Sequence, residues 1–135
     1  MPTPDDRRYT KEHEWVRLDG ETARIGITEY AQDQLGDIVY VDLPEAGEHL
    51  DQFGKLGEIE SVKAVSDLFA PVSGDVLSTN HAIVEHPELV NSSPYDEGWL
   101  LELRVADPAE LDKLLSAREY DAFTEGEAKD EAMRP

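Results

Sequence analysis

The apolar residues of this chain come in short alternating runs, and turn-forming residues close each run. Thr22–Ile27 places Ala23, Ile25 and Ile27 on one face. Residues 37–43 alternate in the same way, with Ile38, Tyr40 and Asp42 on one side and Val39, Val41 and Leu43 on the other. A side-chain period of two is the mark of a half-buried strand. Asp19-Gly20, Pro44-Glu45-Ala46-Gly47, Pro71-Val72-Ser73-Gly74 and Asn91-Ser92-Ser93-Pro94 separate the runs as turn signals. Further strands are read at 13–18, 53–59, 65–70, 74–78 and 99–105. Many short strands with few helices predict a mainly β fold, a small sandwich or barrel with peripheral helices.

Two helices stand out. Thr28 caps one over 29–35, and Gly36 stops it. Asp107-Pro108-Ala109-Glu110 opens the second, with Asp107 as cap, Pro108 at the first position and Glu110 reaching back. Leu111, Leu114 and Leu115 give it an apolar stripe for the core. Residues 79–94 read as loop with at most one helical turn near Ile83. Residues 1–8 and 124–135 read as flexible polar ends around one domain at 9–123.

At 135 residues the chain is one domain, large enough to bury a core without metal or disulfide staples. It has no cysteine, so thiolate chemistry must come from a cofactor or a partner. A formal charge of −19 repels phosphate backbones and anionic bilayers, so neither nucleic acid nor membrane is an expected partner. No apolar run is long enough to span a bilayer. The four histidines, His13, His49, His81 and His86, match no metal-binding spacing. No phosphate-binding glycine loop or glycine-flanked serine is present. With 31 acidic residues, pairs such as Glu58 and Glu60 arise by chance and mark solvated faces. The sequence therefore offers no catalytic constellation and no metal site.

One lysine among five, Lys63, sits between two strand-like runs in Glu60-Ser61-Val62-Lys63-Ala64. A chain reversing there puts its amine at an exposed hairpin tip. Such an amine can be acylated by an external enzyme, and the attached group then sweeps between active sites. Spacing alone leaves a second reading open, an ordinary surface lysine in an acidic hairpin. An unmodified lysine is protonated at neutral pH, which disfavours a self-acting nucleophile.

Glu60-Ser61-Val62-Lys63-Ala64 resembles the lipoylation signature of the glycine cleavage H-protein family. His13-Glu14-Trp15-Val16, Ile25-Gly26-Ile27-Thr28, Ala31-Gln32-Asp33, Leu35-Gly36-Asp37 and Leu43-Pro44 resemble family segments in the same order. So do Pro71-Val72-Ser73-Gly74, Asn91-Ser92-Ser93-Pro94-Tyr95 and Gly98-Trp99, which extends the likeness over about residues 9–123.

The resemblance implies a barrel-sandwich hybrid fold with lipoate in amide linkage on Lys63. It implies recognition by lipoylating enzymes through Glu60, Ser61, Val62 and Ala64. It also implies three partners for a carrier that catalyses nothing itself. These are a pyridoxal-phosphate glycine decarboxylase (P protein), an aminomethyltransferase (T protein) and a dihydrolipoyl dehydrogenase (L protein). A cleft for the aminomethyl-bearing arm would be lined by Glu14, Gln34 and Asp67. Many family members have histidine at the Gln34 position; glutamine hydrogen-bonds but does not titrate near neutrality. A monomer in the bacterial cytoplasm is expected, or a mitochondrial protein if the chain is a processed eukaryotic one. Other readings are an H-like protein that relays lipoyl groups, a lipoyl domain of another multienzyme complex, and an unmodified acidic adaptor.

Overall fold

The computed structural model describes residues 2–132, with side chains through residue 127. Among the described residues, nine strands form two antiparallel sheets. In chain order they are β1 (Arg8–Tyr9), β2 (Glu14–Asp19), β3 (Thr22–Ile27), β4 (Ile38–Asp42), β5 (His49–Leu50), β6 (Lys55–Ser61), β7 (Val65–Phe69), β8 (Gly74–Thr79) and β9 (Leu101–Val105). One sheet runs β1-β2-β3-β9-β8-β5, and the other runs β4-β6-β7. The described α-helices around them are α1 (Glu29–Leu35), α2 (His81–Glu85), α3 (Glu88–Ser92) and α4 (Ala117–Ala132). This is the expected mainly β architecture, a barrel-sandwich hybrid.

The alternating runs become strands because each has one face to bury. Ile25 and Ile27 from β3, Val41 from β4, Ile59 from β6, Leu68 from β7 and Leu101 and Leu103 from β9 meet in one core. Each such side chain contributes roughly 1.5–3 kcal/mol on leaving water. A second cluster holds Tyr9, Trp15 and Tyr120. Trp15 donates from Nε1 to the Pro94 carbonyl at 3.0 Å, and its ring lies over Gly26, where a Cβ would sit 2.5 Å from the indole.

Several expectations are corrected by packing. In β4 the strict alternation fails: Ile38 and Val41 are buried, whereas Val39 and Tyr40 are exposed. A register shift against β6 between Ile38 and Tyr40 supplies the extra residue. The β2–β3 pairing ends at Asp19↔Thr22, so the turn is Gly20-Glu21, one residue later than the Asp19-Gly20 signal. Residues 79–94 hold the expected helical turn near Ile83, which is α2 capped by Asn80, and a second helix, α3, where loop was expected.

The C-terminal third departs most. Asp107 caps as expected, accepting from Ala109 N at 3.1 Å, but the element is a 3-10 helix, Pro108–Lys113. Glu110 does not reach back. Its carboxylate accepts from Ser73 N and Oγ, both at 2.8 Å. Leu115 leaves the helical stripe and pairs its backbone with Tyr9 at 2.8 Å in each direction. Residues 124–132, read as flexible tail, continue α4; residues 133–135 lie outside the described part. Residues 2–8 are not free either. Arg8 is in β1, Arg7 stacks over Trp15 at 4.6 Å, and Tyr9 OH donates to the Pro4 carbonyl.

Candidate functional site

Strands β6 and β7 pair in register from Glu58↔Asp67 to Glu60↔Val65, and residues 61–64 reverse the chain. Ser61 builds that reversal. Its Oγ accepts from Lys63 N at 3.1 Å and Ala64 N at 3.2 Å, while its own N–H donates to the Ala64 carbonyl at 2.8 Å. A serine hydroxyl thus satisfies turn amides that strand pairing leaves open. Ser61 is buried by this work, while Val62, Lys63, Ala64 and Val65 face solvent. Glu60 lies on the outer face between Tyr40 and Val65, both more than half exposed.

The hairpin is seated on a corner between α1 and β4. Val62 N donates to the Asp37 carbonyl at 3.0 Å. Gly36, at φ 79 and ψ −157, holds a backbone conformation open almost only to glycine. A Cβ there would lie 3.3 Å from Lys63 Cε and 3.8 Å from Nζ, so the lysine stem rests against the bare Gly36 backbone. Asn91 of α3 locks the corner with three bonds of 2.9 Å: it accepts from Ile38 N and donates to the Gly36 carbonyl and to Gln32 Oε1. Reading 91–94 as turn formers alone missed this role. The only signal was a polar side chain next to the apolar Leu89-Val90 pair.

A cleft of about 470 Å³ runs beside this corner. On α1 it is lined by Tyr30, Ala31, Gln34 and Leu35, positions that share one helix face. Ser66, Asp67 and Leu68 of β7 form the facing wall, with Ile27 and Ile59 in the apolar floor. Glu12, His13 and Glu14 close one end, and Glu127 of α4 joins them. The structure therefore brings Glu14, Gln34 and Asp67 into a single cleft. It also adds Glu127, from the segment read as a tail.

Glu14 is 1% exposed. Thr10 Oγ donates to one carboxylate oxygen at 2.6 Å and Phe69 N to the other at 3.3 Å. Burial outweighs both bonds and pushes its pKa up to about 8. Glu14 is therefore mostly protonated at neutral pH. Asp67 is half-exposed and shares Lys55 Nζ, at 3.3 Å, with Glu58, at 2.7 Å. His49, outside the cleft, is held between Asp51 and Asp75, which raise its pKa. Among the described residues no group of three or more histidines and carboxylates is placed to hold a metal, and no helix is long and apolar enough to cross a membrane.

One exposed lysine on a rigid hairpin tip, in a two-sheet barrel-sandwich, defines a carrier domain of the swinging-arm class. Residues 7–127 match the family model described as "Glycine cleavage H-protein". A glycine cleavage system H protein of Geobacillus kaustophilus is 54% identical, over 91% of this chain and 97% of its own length. One from Gloeothece citriformis is 56% identical, over 93% of this chain and 96% of its own. A crystal structure of a glycine cleavage system H protein from Mycobacterium marinum superposes with a TM-score of 0.82 at 41% identity, covering 88% of this chain and 96% of that one. The chain belongs to the glycine cleavage H-protein family.

Proposed function

We propose that Lys63 carries lipoate in amide linkage and that the chain serves the glycine cleavage system as a carrier without catalytic activity of its own. Bound there, lipoate supplies the dithiol that takes up the aminomethyl unit and is later reoxidised. The partners are the glycine decarboxylase, the aminomethyltransferase and the dihydrolipoyl dehydrogenase, with lipoylating enzymes acting first. The single observation that carries this reading is the placement of Lys63. Its stem rests on Gly36, its turn is locked by Ser61, and Gly36 directly follows Leu35, which lines a cleft that also holds the buried carboxyl of Glu14.

The residues present fit the group. An aliphatic arm matches Ile27, Ala31, Leu35, Ile59 and Leu68, and a cationic arm end matches Glu14 at the closed end. Gln34 and Asp67 would hydrogen-bond along the way. Glu60, Val62 and Ala64 face outward and offer the lipoylating enzyme a surface, whereas Ser61 acts by shaping the turn.

The test is Lys63→Arg, which keeps the charge and removes the acylable amine. In a lipoate-replete host the wild type gains one lipoyl mass, mapped to Lys63, and supports glycine decarboxylation with its partners. The variant should do neither. A lipoyl mass on Lys63→Arg would place the attachment elsewhere. Lipoylated wild type that never supports glycine decarboxylation would favour the lipoyl-relay reading.

A further inference from the structure

Helix α4 enters the structure beside the first sheet, where Tyr120 stacks on Tyr9 with centroids 4.8 Å apart. Seven residues later, two turns along the same face, Glu127 lines the cleft. His13 joins the two. Its φ of 75 is rare for a residue with a side chain. Tyr30, Tyr120 and Phe123 pack around its ring at 4.8, 5.7 and 6.0 Å. Nε2 lies 3.2 Å from Glu127 Oε2, and Nδ1 lies 2.7 Å from Tyr120 OH. Tyr120 OH in turn lies 2.7 Å from Thr28 Oγ, which caps α1 by accepting from Ala31 N.

The direction of this chain follows from its ends. Charged carboxylates only accept, so Nε2–H donates to Glu127. Burial pushes the His13 pKa down, against the opposing pull of Glu127 and Glu12, which leaves the ring neutral at neutral pH. Nδ1 is then an acceptor for the Tyr120 hydroxyl, and Tyr120 accepts from Thr28. Each donor has one acceptor, from the α1 cap at Thr28 through Tyr120 of α4 and His13, just before β2, to Glu127 of α4. The other titratable groups around the cleft are Glu12 and Glu14 beside His13 and Asp67 on β7. Lys11 stays on the outer side, 5.9 Å from the Phe123 ring.

We propose that the His13–Glu127 contact is a clasp that makes α4 a wall of the cleft, and that Glu127 gives a cationic arm end a second carboxylate besides Glu14. The clasp needs no lipoate. The second half rests on the arm-carrier reading. Glu14 is buried inside its own hydrogen bonds, while the Glu127 side chain is 35% exposed, so an arriving ammonium meets Glu127 first.

Two substitutions separate the halves. Glu127→Gln keeps an oxygen acceptor for Nε2–H and removes the charge, whereas Glu127→Ala removes both. Glu85→Ala, on an exposed face of α2, is the control. The first measurement is hydrogen exchange of α4 amides in the unlipoylated proteins. Glu127→Ala should exchange about fivefold faster, the order of one half-exposed charge-assisted hydrogen bond, while Glu127→Gln stays within about twofold of wild type. The second measurement is ammonia release after loading with glycine and decarboxylase, once the decarboxylase is removed and with no tetrahydrofolate present. Both Glu127 variants should release ammonia about three- to tenfold faster than wild type and Glu85→Ala, the range for one charge pair. Wild-type exchange in Glu127→Ala overturns the clasp. Wild-type release in Glu127→Gln overturns the role of the charge. A chain that takes up no lipoate removes the carrier reading and the second half with it, while exchange still decides the first.

Discussion

The hairpin at residues 61–64 and the cleft beside it are built in opposite ways. The hairpin closes on itself: Ser61 satisfies the amides of Lys63 and Ala64, and strand register does the rest. The cleft is assembled from residues 12–14, 27, 30, 31, 34, 35, 59, 66–68 and 127, which both sheets, α1 and α4 bring together. A local device tolerates change elsewhere in the molecule. An assembled one depends on every joint, above all on the Gly36 corner where the two regions touch.

The largest expected effect lies in the cleft. A buried carboxyl whose pKa is raised to about 8 is neutral in the fold when the unfolded chain has already ionised. Its contribution to stability is complete below about pH 4.5 and is lost as pH rises through about 8. Glu14→Gln should flatten this decline. The difference between wild type and variant should change by up to roughly 4 kcal/mol between pH 4 and 9, at about 1.4 kcal/mol per pKa unit. Urea unfolding across that range measures it. A pH-independent difference would mean that Glu14 is charged in the folded protein, and the cleft would then be polar where it is drawn as apolar.

The joint comes next. Asn91→Ala leaves Ile38 N and the Gly36 carbonyl without a partner, and should cost about 2–4 kcal/mol in urea unfolding, the sum of more than one unsatisfied group. The variant should also be lipoylated more slowly, because the seat of the hairpin loosens. Normal stability would show the corner to be held by the strands alone.

Gly36→Ala places a Cβ in a glycine-only conformation and against the Lys63 stem, and should cost about 1–3 kcal/mol. If hairpin and cleft are separate devices, this variant still folds its turn but shifts the lysine root. The check is the lipoylation rate of purified, folded protein.

The smallest effect is on the hairpin surface. Glu60→Lys should slow lipoylation severalfold, while Glu85→Lys should not, because charge reversal at a docking face acts mostly on encounter. Equal rates would confine recognition to Val62, Lys63 and Ala64.

Much of this was legible in the sequence where the determinants are local. The period-two runs predict β3, and the Thr28 cap and the Gly36 stop predict α1 with its bounds. Lys63 at a hairpin tip follows from two strand patterns around a short reversal, and the reading of it as a carrier lysine rather than a surface lysine comes from the family resemblance alone. Tertiary structure decided the rest. The β4 bulge turned Val39 and Tyr40 outward because register against β6, not propensity, sets which residues face the core. Glu110 turned to Ser73, and Leu115 left its helical stripe to pair with Tyr9, because each found a partner distant in sequence. A polar segment after residue 123 carries no apolar stripe to announce a helix. Its folding onto the cleft depends on Tyr9, His13 and Thr28, more than ninety residues away in the chain. Local pattern specifies an element when the residues that satisfy its backbone are its own neighbours. It is silent when the partner arrives from the other end of the chain, as Glu127 does at His13.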